Sequence, residues 1–189
     1  GNDINGEVTL DQSGRSVSLS ADGATLAIGA RLNDANGSNS GHVRVYKNVA
    51  GSWSQIGSDI DGELANDFSG WSVSLNSDGT TLAIGANRND ANGSNSGHVR
   101  VYQRNPANTT IAPLGWTKIG SDIDGEAAGD ESGYSVSLSA DGSILAIGAV
   151  GNDANGSNSG HVRVYQNVGG TWTQVGQDIN GEAQSDYSG

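Results

Sequence analysis

The ten-residue stretch Asn33-Asp34-Ala35-Asn36-Gly37-Ser38-Asn39-Ser40-Gly41-His42 occurs three times without a change, at 33–42, 89–98 and 152–161. Each copy follows an apolar run ending Ile-Gly-Ala and precedes Val-Arg-Val-Tyr. Such identity in a fixed frame is the mark of stacked supersecondary units, each too small to bury its apolar face alone. Aligned on Gly14, Gly70 and Gly133, the units are offset by 56 and 63 residues. The chain divides into a lead-in at 1–13, matching the end of a unit, and three units at 14–69, 70–132 and 133–189. An insertion at 104–115 accounts for the longer middle step, and its Pro106 and Pro113 place it in a surface loop.

Within a unit the spacing predicts four strands. Ser16–Ser20 alternates serine with Val17 and Leu19, the period-two signal of a half-buried strand. Asp22-Gly23 supplies a tight turn. Thr25–Ala30 is a small-residue apolar run fit for a crowded interior, His42–Tyr46 alternates again, and Trp53–Gly57 follows a Gly-containing turn. No stretch has helical periodicity. The expected fold class is all-β: β-propeller blades, three four-stranded antiparallel repeats. A sandwich of short strands is the competing architecture, but it has no reason to make every fourth strand alike.

Composition narrows the function classes. Apolar residues make up only 34% of the chain, grouped in short runs, and there are 30 glycines. This favours many short strands over one large conventional core. Net charge is −12, from 21 acidic and 9 basic residues, which argues against nucleic acid as a partner. Without cysteine there is neither a disulfide scaffold nor a thiolate metal site. No signal-peptide pattern and no long apolar segment is present, so insertion into a membrane is not expected.

The run Gly70-Trp71-Ser72-Val73-Ser74-Leu75-Asn76-Ser77-Asp78-Gly79-Thr80-Thr81-Leu82-Ala83-Ile84-Gly85-Ala86 resembles the FG-GAP repeat of integrin-alpha-type propellers, in a divergent, bacterial-looking version. That family carries an aromatic-Gly pair, a strand, an Asp-Gly turn and an apolar strand ending Gly-Ala-Pro. Here a serine separates Phe68 from Gly70, and no proline follows Ala86. The resemblance spans essentially the whole chain, with His98–Tyr102 standing at the family's Val-Tyr-Val-Tyr-like strand. It implies a propeller fold and extracellular adhesion or ligand binding. The family's calcium loop, Asp-x-Asp-x-Asp-Gly between the first two strands, is reduced here to Asp22-Gly23, Asp78-Gly79 and Asp141-Gly142. Known propellers close with at least four blades. Three blades are therefore expected either to be part of a larger ring or to assemble, two copies giving six blades as a homo-oligomer.

Candidate sites follow the repeat. Asp34, Asn36 and Ser38, with Asp90, Asn92 and Ser94 and with Asp153, Asn155 and Ser157, alternate oxygen-bearing side chains as calcium loops do, with one carboxylate per copy. The alternative is that these groups satisfy their own backbone. A second acidic run, Asp59, Asp61, Glu63 and Asp67 with its equivalents, could gather a divalent cation between blades or simply present solvated charge. His42, His98 and His161 read as half-exposed strand residues that cannot converge on one ion. Variation at fixed frame positions marks Trp71, matched by Arg15 and Tyr134, and Phe68, matched by Tyr187, either as a ligand-binding surface suited to sugar stacking or as tolerated surface variation.

No nucleophile elbow, cysteine or zinc-type histidine pair is present, and the acidic residues sit in repeated turns. The sequence alone thus points to no enzyme but to a non-enzymatic extracellular or cell-surface binding and adhesion module, glycan-binding and assisted by calcium. Its partners would be a glycan or a surface protein. The alternatives are a structural, self-assembling array and a fragment of a polysaccharide-degrading enzyme.

Overall fold

The structure, a computed structural model, describes residues 3–189; the first two lead-in residues lie outside the described ones. The first sheet contains β1 (Ser16–Leu19), β2 (Thr25–Ala30), β3 (His42–Val49), β4 (Ser52–Gln55) and β5 (Ile60–Asp61). The second contains β6 (Ser72–Leu75), β7 (Thr81–Ala86), β8 (His98–Arg104), β9 (Trp116–Lys118) and β10 (Ile123–Asp124). The third contains β11 (Ser132–Leu138), β12 (Ile144–Ala149), β13 (His161–Val168), β14 (Thr171–Gln174) and β15 (Ile179–Asn180). Each sheet is a four-stranded antiparallel meander of the propeller-blade kind, with one addition. The chain is all-β, as expected.

The addition is the two-residue strand after the fourth, expected as loop. In the first blade β4 pairs with the outer half of β3, from Tyr46 to Val49, and β5 then pairs with its beginning, His42 opposite Asp61 and Val43 opposite Ile60. Two residues are too few to show a period, so the strand is invisible in the sequence. Its consequence is local and important: it brings Asp59 and Asp61 back to His42.

The blades stack through two apolar interfaces. Ala27, Val43, Val45 and Ile60 of the first blade meet Val73, Leu75, Leu82, Ile84, Tyr102 and Trp116 of the second. Ala83, Val99, Val101 and Ile123 of the second meet Leu145, Ile147 and Tyr165 of the third. Polar groups join the inner strands. The Ser16 and Ser72 hydroxyls donate to the Gly70 and Gly133 carbonyls at 2.8 and 2.7 Å, and the Ser18 and Ser74 hydroxyls accept from the Leu75 and Leu138 amides at 2.9 and 3.0 Å. The serines that read as a polar face in the sequence therefore satisfy the neighbouring strand's backbone. Gly41 has φ +74° and lies against the Ser69 backbone, where a Cβ would clash; this close approach is why the ten-residue stretch ends Gly-His.

The insertion forms the loop between β8 and β9, as the prolines indicated. Asn108 pins it, its amide donating to the carbonyls of Ile111, Pro113 and Trp116 at 2.7, 3.1 and 2.7 Å. Among the described residues no helix is long and apolar enough to cross a membrane.

Candidate metal centres

The three histidines are not half-exposed. His42, His98 and His161 are 0%, 1% and 0% accessible, because the next connection folds over the start of the third strand. Each lies in a Glu-His-Asp group: Glu7-His42-Asp59, Glu63-His98-Asp122 and Glu126-His161-Asp178, with ligand-capable atoms within 4.8 Å of one another. The glutamate arrives on the segment preceding the blade, the histidine opens the blade's third strand, and the aspartate arrives just before its short fifth strand. Every cluster therefore ties a blade to the segment that enters it.

In the first cluster His42 Nδ1 is 3.8 Å from Glu7 Oε2 and 3.9 Å from Asp59 Oδ2. In the third, His161 Nδ1 is 3.9 Å from Glu126 Oε2 and 3.8 Å from Asp178 Oδ2. These separations are too long for direct hydrogen bonds. They approach the ~3.4 Å expected between ligands of a tetrahedral ion with bonds of about 2.0–2.1 Å. Both ring nitrogens of all three buried histidines lack a hydrogen-bond partner in the protein. A buried, unpartnered imidazole is costly unless something fills the gap. The donor sets therefore fit a metal ion. One nitrogen and two carboxylates suit a borderline ion such as Zn²⁺ or Mn²⁺ better than calcium, which prefers oxygen alone.

The surroundings orient these groups. Arg44, Arg100 and Arg163, nearly buried, stand beside Glu7, Glu63 and Glu126 at 3.6, 3.7 and 3.5 Å. The same guanidiniums donate to the carbonyls of Asn5, Asp61 and Asp124, each at 2.8 Å, locking the entering segment. Gln55 and Gln174 donate to Asp59 and Asp178 at 2.6 Å. In the middle blade a lysine takes that place: Lys118 Nζ is 2.8 Å from Asp122, and the carboxylate beside His98 Nδ1 is instead Asp124, at 4.0 Å. Burial lowers the pKa of all three imidazoles, that of His98 to about 4 with help from the Arg100 charge. The rings are thus neutral, as ligands must be. Burial also raises the Asp61 carboxyl, with repulsion from Asp59 adding to it.

A cleft of about 810 Å³ opens beside these groups at the junction of the first two blades. Asp59, Asp61 and Glu63 line one side, Tyr102 and Trp116 give it an apolar surface, and Ile111 and Pro113 of the insertion form a wall. The cleft thus meets one carboxylate from each of two metal-compatible clusters.

The other expected site residues lie elsewhere. In the repeated loop the carboxylates of Asp34, Asp90 and Asp153 accept from the Asn39, Asn95 and Asn158 amides at 2.7 Å. The amides of Asn36, Asn92 and Asn155 donate to carbonyls of the following segment. Ser38 and Ser157 are bonded by the neighbouring Asn39 and Asn158 amides at 3.4 Å, and Ser94 is exposed. The metal-compatible groups found involve none of these loop residues. Phe68, Trp71, Tyr134 and Arg15 come together at one end of the blades, while Tyr187 occupies the position equivalent to Phe68 after the third blade and is 55% exposed. What sequence reasoning missed was the joining of His42, Glu7 and Asp59. The acidic run hinted at it, but the histidine belongs to the blade that follows its glutamate.

The clusters overturn the expectation of a non-enzymatic binding and adhesion module. A buried neutral imidazole flanked by two carboxylates is present three times, and two of these sets border a cleft, an arrangement suited to metal-assisted chemistry. In the sequence these acids read as solvated turn residues, because the strand that returns them to the histidine is too short to show a period.

Among curated proteins none matches the chain in sequence. Solved structures with a related fold include a putative 6-phosphogluconolactonase from Bacteroides uniformis ATCC 8492, 16% identical, with a TM-score of 0.54 over 87% of this chain and 39% of that one. Lower scores of 0.36 and 0.42 relate the chain to a periplasmic gluconolactonase from Pseudomonas aeruginosa (16% identical, 87% of this chain and 56% of that one) and to a hypothetical selenium-binding protein from Sulfolobus tokodaii (10% identical, 86% and 43%). The first likeness shows the fold alone, and the other two carry no argument. The chain spans less than two thirds of the length of each. The FG-GAP repeat, by contrast, matches at residues 6–46, 59–102 and 122–165, most of the chain and one stretch per blade, so the chain belongs to the FG-GAP repeat family.

Proposed function

We propose that the three Glu-His-Asp clusters are divalent-metal sites and that the pair bordering the cleft gives the chain a metal-dependent hydrolytic activity. The observation that carries this reading is the buried, unpartnered imidazole facing two partly exposed carboxylates in each blade. Three protein ligands with solvent access leave a coordination position free, the arrangement of reactive metal centres. A bound ion there supplies Lewis acidity and acidifies water. The chain's own residues do the rest. Arg100 beside Glu63 orients that ligand, His98 stays neutral, and Tyr102 and Trp116 give an apolar seat. Asp59, Asp61 and Glu63 share the cleft with Arg100 and Lys118, and this mixed-charge lining beside an apolar seat suits neutral esters and lactones as the substrate class.

Titration calorimetry with Zn²⁺ and Mn²⁺ tests the sites, and a panel of chromogenic esters and simple lactones tests the activity. Binding is expected, with His42→Ala and His161→Ala each removing one site. Hydrolysis is expected only with metal present and is expected to fall at least tenfold in Glu63→Gln. Absence of binding for every divalent ion tried sinks the proposal. Binding without turnover supports a second reading, favoured by the glutamate's origin on the entering segment: the ions would clamp successive blades and raise the melting temperature without doing chemistry.

A further inference from the structure

A second cluster lies away from the metal-compatible groups. Arg15 immediately precedes β1, Arg31 immediately follows β2, Arg88 lies just past β7, and Tyr134 is in β11. Phe68 and Trp71 lie in the crossing from the first blade to the second. Ser16 pairs with Gly29, so the start of a first strand and the end of a second are the same end of a blade. The Phe68 and Trp71 rings are parallel to within 5° at 6.4 Å, and Tyr134 is 5.3 Å from Trp71. Against these rings stand three guanidiniums. Arg31 is 4.5 Å from Trp71 and 5.4 Å from Phe68, Arg15 is 4.9 Å from Trp71, and Arg88 is 5.0 Å from Phe68.

This concentration of positive charge is out of place in a chain of net charge −12 with only 9 basic residues. The ion pairs among the described residues engage Arg44, Arg100, Arg163 and Lys118, not these three arginines. Arg31 donates through Nε to Gln12 at 2.8 Å, which leaves its terminal N–H groups to other partners. Burial and the charges of Arg15 and Arg88 depress its pKa, so the like charges repel. Contact with an aromatic ring offsets part of this repulsion. A multivalent anion would relieve the repulsion further and accept from the free guanidinium edges.

We propose that this cluster binds a multiply charged oxyanion, phosphate or polycarboxylate, held by Arg15, Arg31 and Arg88 while Phe68, Trp71 and Tyr134 position the guanidiniums. This does not depend on the metal sites. The test is titration calorimetry and tryptophan fluorescence with inorganic pyrophosphate and with citrate, both at low salt, which separates phosphate from carboxylate recognition. Saturable binding of at least one anion is expected, weakened about tenfold or more by Arg31→Gln and by Arg88→Gln. Lys47→Gln, on an exposed stretch of β3, is expected to bind as wild type. Near-ultraviolet circular dichroism confirms that each variant is folded. Failure of the folded wild-type chain to bind either anion overturns the proposal, as does equal loss in Lys47→Gln. A lower melting temperature of Arg31→Gln without anion binding by the wild type would identify the cluster as a packing device between blades.

Discussion

At the scale of single residues, the buried histidines decide most. His42, His98 and His161 occupy one position of the repeat, yet their neighbours differ: glutamine steadies the nearby aspartate in the outer blades and Lys118 does so in the middle one. A cation at the middle site meets that lysine charge. Its affinity is expected to be the lowest of the three, and Lys118→Gln is expected to raise it about tenfold, measured by Zn²⁺ titration. Acid is expected to destabilise the metal-free chain for a related reason. His98 is held at about 4 against 6.5 in the unfolded chain, so the unfolded state binds more protons between these values. Stability is then fully present above pH 6.5 and falls as the pH drops towards 4, by an amount on the order of 3 kcal/mol for this group. Urea midpoints measured across that range, with His98→Gln for comparison, check the sign. A flat profile in the wild type would count against a buried neutral imidazole.

At the scale of elements, the fourth strand joins blades. Trp116 of β9 is buried, and its indole N–H donates to the Ile56 carbonyl of the preceding blade at 3.2 Å; Trp172 of β14 reaches Ile119 in the same way at 3.1 Å. Trp53 of β4, half-buried like Trp172, makes no such indole bond to another blade among the described residues. Trp116→Ala is expected to cost about 3–5 kcal/mol, and Trp53→Ala under about half of that. Denaturant melts of the two variants make the comparison, and equal losses would contradict an inter-blade role for the indole. The short fifth strand acts at the same scale. Without the pairing of Ile60 with Val43, Asp59 would have no fixed place beside His42.

For the whole molecule, the two interfaces between blades imply the character of the two outer faces. Val73 and Leu75 are 9% and 7% accessible inside the stack, while their equivalents Val17 and Leu19 on the first blade are 60% and 55% accessible. On the far side Ile179 is 59% accessible, where Ile60 and Ile123 are buried. These faces are the two halves of the interface that the chain forms twice internally. The lead-in complicates self-closure, since the Asp11 carbonyl accepts from Leu32 on the first blade as that of Asp67 accepts from Arg88 on the second. Another blade docking there meets an occupied place. Leu75→Ala is expected to cost about 2–5 kcal/mol and Leu19→Ala under about 1 kcal/mol. Sedimentation of Leu19→Asp against wild type shows whether a second copy covers this face: if so, the mass falls.

The sequence alone determined the repeat, its phase, the strand order and the insertion, because these rest on local periodicity and on turn residues that act over a few positions. It also showed that Trp71, Phe68, Tyr134 and Arg15 vary in a constant frame, though not that Arg31 and Arg88 join them. The metal-compatible clusters were decided only by tertiary structure. Glu7 and His42 are 35 residues apart in sequence, and Asp59 returns to them just ahead of a strand too short to carry a pattern. Burial of the imidazole depends on a connection folding over it, and no run of letters around His42 records that. The oxygen-rich loop, the most conspicuous feature in the sequence, turned its polar groups to its own backbone and to that of the following segment, because a long connection must satisfy its amides before it can offer ligands.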